Sequence, residues 1–145
     1  MPPASLPANV PYDLAILAQP LATVIHGFKR ANLQPSSSVT IIGAGLLGLL
    51  ACAYARSLNC FPISLVDADE GRLQLAAEQN WASHQYKIPS ALPPHASTPD
   101  EIVVFNRSIA EAVLQNTQQL AGFEALVETT GTERGAQLSI FVSSP

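Results

Sequence analysis

Three glycines at fixed spacing constrain this chain more than anything else in it. They stand in Val39-Thr40-Ile41-Ile42-Gly43-Ala44-Gly45-Leu46-Leu47-Gly48-Leu49-Leu50, and Asp67 follows Gly48 by 19 residues. A β-branched run enters a Gly-x-Gly-x-x-Gly turn, and a leucine-rich run leaves it. This is a strand, a tight turn and a helix, in which each glycine has its own task. Gly43 permits the turn, Gly45 leaves room for a pyrophosphate against the backbone, and Gly48 lets helix and strand pack closely. Leu46 and Leu47 open the helix, whose unpaired N–H groups and positive dipole end suit phosphates. A second strand, Pro62-Ile63-Ser64-Leu65-Val66-Asp67, ends on a carboxylate able to accept both hydroxyls of an adenosine ribose. A glycine turn alone is a weak sign. With strand, helix, second strand and terminal Asp in register, it marks a dinucleotide site.

The bulk of the chain narrows the alternatives. At 145 residues it fits one domain with a core of its own. Apolar residues make up 48% and charged ones 12%, which is the composition of a folded protein. The net charge is −4 and the basic residues cluster only at Lys29-Arg30, so a nucleic-acid partner is not expected. Cys52 and Cys60 form no C-x-x-C pair and no zinc signature, and they fit a reducing compartment. The start, Met1-Pro2-Pro3-Ala4-Ser5, lacks the basic-then-apolar pattern of a signal peptide. A cytoplasmic location is expected. Residues 39–55 are uncharged over 17 positions, the short limit for a membrane span. The glycine spacing explains them better as a buried strand and helix, and no membrane partner is expected.

Along the chain, residues 1–11 carry four prolines and read as an extended lead-in. Residues 12–34 read as a linking helical segment, with Pro20 in a first helical turn and Leu21, Val24, Ile25 and Phe28 at helical spacing. Residues 35–145 read as a partial dinucleotide-binding domain. The helix after Gly45 is apolar on nearly every face, which predicts cover on more than one side. Asp69 is placed to cap the next helix, and Leu73, Ala76 and Ala77 give it a buried stripe. Gln85–Ile88 is predicted as a short third strand, and the proline-rich 89–100 as a loop. Ile102-Val103-Val104-Phe105 reads as a strand or a packed connection. Ser108-Ile109-Ala110-Glu111 reads as a capping box that opens a helix ending at Gly122. Phe123 to Thr129 is the next predicted strand, closed by Thr130-Gly131, and a helix from about Glu133 to Phe141 follows. Strands alternating with helices define an α/β class, a doubly wound parallel sheet of Rossmann type, incomplete in its C-terminal half.

In four segments, taken in order, the chain resembles the medium-chain dehydrogenase/reductase family, the zinc-type alcohol and polyol dehydrogenases. Leu6-Pro7-Ala8-Asn9-Val10-Pro11 with Leu17-Ala18-Gln19-Pro20-Leu21-Ala22 is similar to the family's link between its catalytic and cofactor domains. His26-Gly27-Phe28-Lys29-Arg30-Ala31 is similar to the helix that follows. Gly43 to Gly48 with Asp67-Ala68-Asp69-Glu70-Gly71-Arg72-Leu73 resembles the coenzyme fingerprint and its second strand, and Phe123 to Gly131 the fourth strand. The resemblance implies an oxidoreductase fold that holds a nicotinamide dinucleotide. Gly43, Gly45, Leu46, Leu47 and Gly48 would cradle pyrophosphate, Asp67 would hold the adenine ribose, and Arg72 would lie along the adenosine. Thr130 and Gly131 would approach the nicotinamide side. An acid at position 67 repels a 2′-phosphate, so NAD is favoured over NADP.

The departures from the family pattern set the rest of the expectation. Neither the preceding catalytic domain with its first zinc ligands nor a four-cysteine zinc lobe has a counterpart here, and Gln19 stands where many members carry Glu before Pro. A neutral amide is a poor zinc ligand beside a carboxylate or imidazole. Zinc is therefore expected in the full-length family but not in this chain. The sequence stops 14 residues after Gly131, before the last strands of the family's sheet. The chain reads as a member shortened at both ends that keeps cofactor binding through the adenosine-diphosphate half and is inactive alone. His26 reads as a structural histidine, and His84 and His95 lack ligand spacing, so no catalytic residue is assigned. Two other readings stay open. One is a non-catalytic partner or regulatory module, in which Phe123, Leu126 and Val127 line an unfinished sheet edge that pairs with a second copy or another chain. The other is a methyltransferase-like domain that uses the glycine turn for S-adenosylmethionine; the helix before the first strand and the Thr-Thr-Gly strand end favour the dehydrogenases over it.

Overall fold

The glycine turn sits at the middle of a four-stranded parallel sheet. A computed structural model of the protein describes residues 5–93 and 98–143. Its elements run α1 (Tyr12–Ala15), α2 (Ala18–Arg30), β1 (Val39–Ile42), α3 (Leu46–Ser57), β2 (Ile63–Asp67), α4 (Glu70–Glu78), β3 (His84–Lys87), α5 (Pro99–Thr117), β4 (Ala125–Glu128) and α6 (Glu133–Val142). The strand order is β3-β2-β1-β4. All pairings are parallel, with Val39 opposite both Ile63 and Ala125. The chain thus winds outward from β1 through β2 to β3, and α5 carries it back to the other side of β1. The carboxyl ends of β1 and β4 flank the point where the order reverses, which is where open α/β sheets leave a crevice for ligands.

Two-residue periodicity in the strands builds two cores. Val39, Ile41, Ile63 and Leu65 face one side and pack with Val24 and Phe28 of α2, Ala51, Cys52 and Ala55 of α3, and Leu73 and Ala76 of α4. Ile42 and Val66 face the other side and pack with Ile109, Ala110 and Val113 of α5 and Leu138 and Val142 of α6. Both faces are covered, so the central strands read as continuous apolar runs. Burial on the first side pushes the Cys52 thiol up to about 12, which makes it a packing group and not a nucleophile at neutral pH. Among the described residues no helix is long and apolar enough to cross a membrane.

Several expectations hold. The stretch before β1 is helical, with Pro20 in the first turn of α2 and Val24 and Phe28 buried. Asp69 caps α4 by accepting from the Arg72 N–H at 3.1 Å. The third strand is present, one residue earlier than its predicted start.

Four details are corrected. Residues 102–105 are neither strand nor connection but the first turns of α5, a 19-residue helix. Its start lies at Thr98-Pro99-Asp100-Glu101, where Thr98 and Glu101 cap each other's backbone and Pro99 fixes the first helical φ. That cap outweighs the β preference of the run Ile102 to Val104, because Ile109, Ala110 and Val113 then continue one buried stripe. Ser108 is accordingly no cap; its hydroxyl donates to the Phe105 carbonyl at 2.7 Å inside the helix. The helix ends on Gln118 in the left-handed conformation (φ 57°), ahead of Gly122. Finally, β4 is the outer strand among the described residues, yet Phe123 is only 1% exposed. Its N–H donates to the Val142 carbonyl at 3.0 Å, and a parallel bridge to Ser143 brings the end of α6 over it. Leu126 and Val127 are half-buried.

Candidate functional site

At the end of β1 the three glycines do three different things. Gly43 has φ +102°, a conformation that L side chains rarely adopt, and a Cβ there would lie 2.6 Å from Thr129 Oγ1 and 2.8 Å from Thr130 Cγ2. Gly48 sits against the turn so closely that a Cβ would fall 1.7 Å from the Gly43 carbonyl oxygen. Gly45 is different. It occupies the N-cap of α3 in extended backbone, and a Cβ there would meet no protein atom within 4 Å. No side chain caps α3 and no acidic residue stands in its first turn, so the amides of that turn have no side-chain acceptor.

Asp67, at the end of β2, reaches the same turn. Its Oδ2 accepts the Ala44 N–H in a short hydrogen bond, and its Oδ1 accepts the Asp69 N–H at 2.7 Å. The carboxylate therefore clamps the glycine turn to the β2–α4 connection. A carboxylate has about four acceptor positions, so two remain for further donors. Arg72 lies one turn into α4 with an exposed side chain, its Nε 3.6 Å from Asp69 Oδ2. Such an exposed pair adds little stability, and the guanidinium stays free to turn toward a ligand.

The end of β4 closes the other wall. Thr129 Oγ1 donates toward the carbonyls of Ile42 and Gly43, at 3.0 and 3.1 Å, which ties β4 to the glycine turn. Thr130 and Gly131 follow, with Gly131 at φ +64°. Glu128 organises both: it accepts the Thr130 N–H at 2.6 Å, the Thr130 hydroxyl, and the Gly131 N–H at 3.0 Å. Gly135 packs onto this cluster, since a Cβ there would lie 2.4 Å from Thr130 Oγ1 and 2.5 Å from Glu128 Oε1. Sequence reasoning found Thr130 and Gly131 but missed Glu128 and Gly135. The signal was an acid closing an apolar strand two residues before a Thr-Gly turn, which is where a carboxylate can fold back on free amides.

The structure thus brings Gly43, Gly45, Leu46, Leu47, Gly48 and Asp67 together at one end of the sheet, with Thr130 and Gly131 across the switch point and Arg72 at the rim. The histidines are not gathered there. His26 is exposed on α2, which corrects its reading as a satisfied structural residue, His84 lies in β3, and His95 falls outside the described residues. Gln19 Nε2 donates to Thr23 Oγ1 at 3.3 Å within α2. Among the described residues no three His, Cys, Asp or Glu side chains come together as metal ligands.

A parallel α/β sheet with a glycine turn at its switch point and an acid closing the second strand is the Rossmann-like architecture of nucleotide-binding dehydrogenases. Comparison with known proteins agrees. No protein-family model matches the sequence. The chain is 29% identical over 140 residues to D-xylulose reductase A of Aspergillus oryzae, covering 97% of this chain and 35% of that protein. It is 29% identical over 147 residues to L-idonate 5-dehydrogenase of Vitis vinifera, covering 92% and 40%. The alcohol dehydrogenase TADH from Thermus sp. ATN1 superposes with a TM-score of 0.69 at 27% identity, covering 98% of this chain and 36% of that one. The chain is thus similar to alcohol and polyol dehydrogenases, and its fold matches the Rossmann-like part of such enzymes. It spans little more than a third of the length of these relatives.

Proposed function

We propose that this chain binds NAD(H) through the adenosine-diphosphate half of the dinucleotide, within an oxidoreductase activity on alcohol or polyol substrates. One observation carries the reading: at the switch point the turn is sealed at Gly43 and Gly48 and left open only at Gly45, beside the uncapped start of α3. A pyrophosphate fills that opening and takes up the free amides. Asp67, already held by two backbone N–H groups, presents its remaining lone pairs to the ribose hydroxyls. Arg72 lies along the adenosine, and Thr130 and Gly131, fixed by Glu128, approach the nicotinamide side. NAD, when bound, supplies the hydride acceptor for alcohol oxidation; the residues of this chain bind and orient it. No step is assigned to zinc.

The charge of Asp67 sets the choice between cofactors, because a 2′-phosphate would sit against it. Asp67→Asn is expected to weaken NAD by about 1–2 kcal/mol through loss of charge-assisted hydrogen bonds. Affinity for NADP should fall less, so that the preference for NAD narrows. Calorimetric titration of both dinucleotides into both proteins measures this ratio, which a general loosening of the turn leaves unchanged. Equal NAD affinity in the two proteins would remove Asp67 from the site.

A further inference from the structure

The amides at the end of β4 are bound up in a way that those at the start of α3 are not. Two successive backbone N–H groups, of Thr130 and Gly131, donate to one carboxylate, that of Glu128, at 2.6 and 3.0 Å, and the Thr130 hydroxyl donates to it as well. Successive N–H groups in a turn form a concavity that takes anions, and here the chain supplies the anion itself. The seat is close. The Thr132 N–H donates to Thr130 Oγ1 at 3.1 Å, and a Cβ at Gly135 would lie 2.5 Å from Glu128 Oε1. Thr130 also abuts the glycine turn, with its Cγ2 2.8 Å from the place a Gly43 Cβ would take. Thr130 and Gly131 are nonetheless exposed, so this turn is open to a ligand in the crevice.

The switch point thus carries two sets of amides with different fates. The first turn of α3 has no side-chain acceptor, whereas Glu128 occupies the turn after β4. With both turns empty, a pyrophosphate would find donors on either side of the crevice, and a dinucleotide would lie in either sense. The filled turn removes that ambiguity. A cavity of about 300 Å3 between α2 and β4 agrees with this division. Val24, Phe28, Leu47 and Leu126 line it, and Glu128 is the one charged residue among the described residues around it. A phosphate on that side would meet a carboxylate and no cation.

We propose that Glu128 is a positioning residue of the dinucleotide site: its carboxylate keeps the Thr130 and Gly131 amides from the pyrophosphate, leaves the phosphates to the α3 amides, and so directs the nicotinamide half toward β4. The assignment rests on the dinucleotide reading above. Glu128→Gln tests it, because a side-chain amide accepts only through its oxygen and its nitrogen cannot accept, so an N–H of the turn is freed. Inorganic pyrophosphate is titrated into both proteins and followed by NMR at the backbone amides. In the unmodified protein the Leu46 and Leu47 amides should shift while those of Thr130 and Gly131 stay still. In Glu128→Gln the Thr130 and Gly131 amides should shift saturably as well. Cross-relaxation from bound NAD then reads its sense. Nicotinamide protons should contact the Thr130 methyl group in the unmodified protein, and adenine protons should gain that contact in Glu128→Gln, a change that loss of stability alone does not produce. Glu128→Ala, which frees both N–H groups, should show the same two changes more strongly. Pyrophosphate shifts at Thr130 and Gly131 in the unmodified protein would overturn the role of Glu128, as would their absence in Glu128→Gln or an unaltered NAD contact pattern; none of these touches the dinucleotide reading. Failure of NAD to bind the unmodified protein would overturn that reading and the assignment with it.

Discussion

Gly48→Ala is expected to destabilise the fold by about 3 kcal/mol or more, the upper end of what overpacking costs. The added methyl group would lie 1.7 Å from the Gly43 carbonyl oxygen, and a backbone atom cannot rotate away as a side chain can. Gly43 has no room to retreat. Its φ of +102° is already confined to glycine, and its carbonyl accepts from Thr129 Oγ1 at 3.1 Å. Relief would have to come from α3 moving off β1, which would open contacts among Ala51, Cys52, Ala55 and the sheet. Urea denaturation reads the effect as a lowered midpoint with an unchanged slope. An unchanged midpoint would mean that helix and turn are packed more loosely than described.

Gly45→Val should give the opposite pattern. Nothing in the protein lies within 4 Å of a Cβ at Gly45, and its φ of −71° with ψ −173° is extended backbone that a branched residue adopts freely. Stability should fall by no more than about 1 kcal/mol, the cost of replacing a glycine N-cap with an aliphatic residue. Dinucleotide affinity should fall by roughly a hundredfold, because the branched side chain takes the space in which the pyrophosphate meets the α3 amides. Thermal melting and calorimetric titration on the same preparation separate the two quantities. A folded Gly45→Val protein that binds NAD normally would defeat the reading of the turn.

How far the sequence foretold this structure depends on how local each signal was. The glycine turn, both central strands and the Asp69 cap rest on residues within a few positions of one another, and all were legible. The run Ile102 to Phe105 was misread because its β preference is local, whereas the cap that decides it begins in a proline-rich stretch read as loop. Leu46 and Leu47, the first residues of an apolar helix, are exposed, at 56% and 36%; apolar composition says nothing of which neighbours are present. Phe123 was placed on an open edge, but the end of α6 returns to pair with it, a contact between residues 20 apart that periodicity cannot supply. The site divides the same way. The residues of the turn and Asp67 were read directly, while Glu128 acts by folding back on Thr130 and Gly131, a geometry that only the φ of +64° at Gly131 and the close seat of Gly135 reveal.

The adenosine-diphosphate half of the cofactor is what this chain is proposed to recognise. Titration of ADP-ribose and, separately, of nicotinamide mononucleotide into the unmodified protein tests it most directly. ADP-ribose carries the pyrophosphate for the Gly45 opening and the ribose hydroxyls for Asp67; nicotinamide mononucleotide lacks both the pyrophosphate and the adenosine. ADP-ribose is expected to bind one per chain with most of the affinity of NAD, and nicotinamide mononucleotide at least tenfold more weakly, a difference of about 1.4 kcal/mol or more. No binding of ADP-ribose, or mononucleotide binding of equal strength, would contradict it.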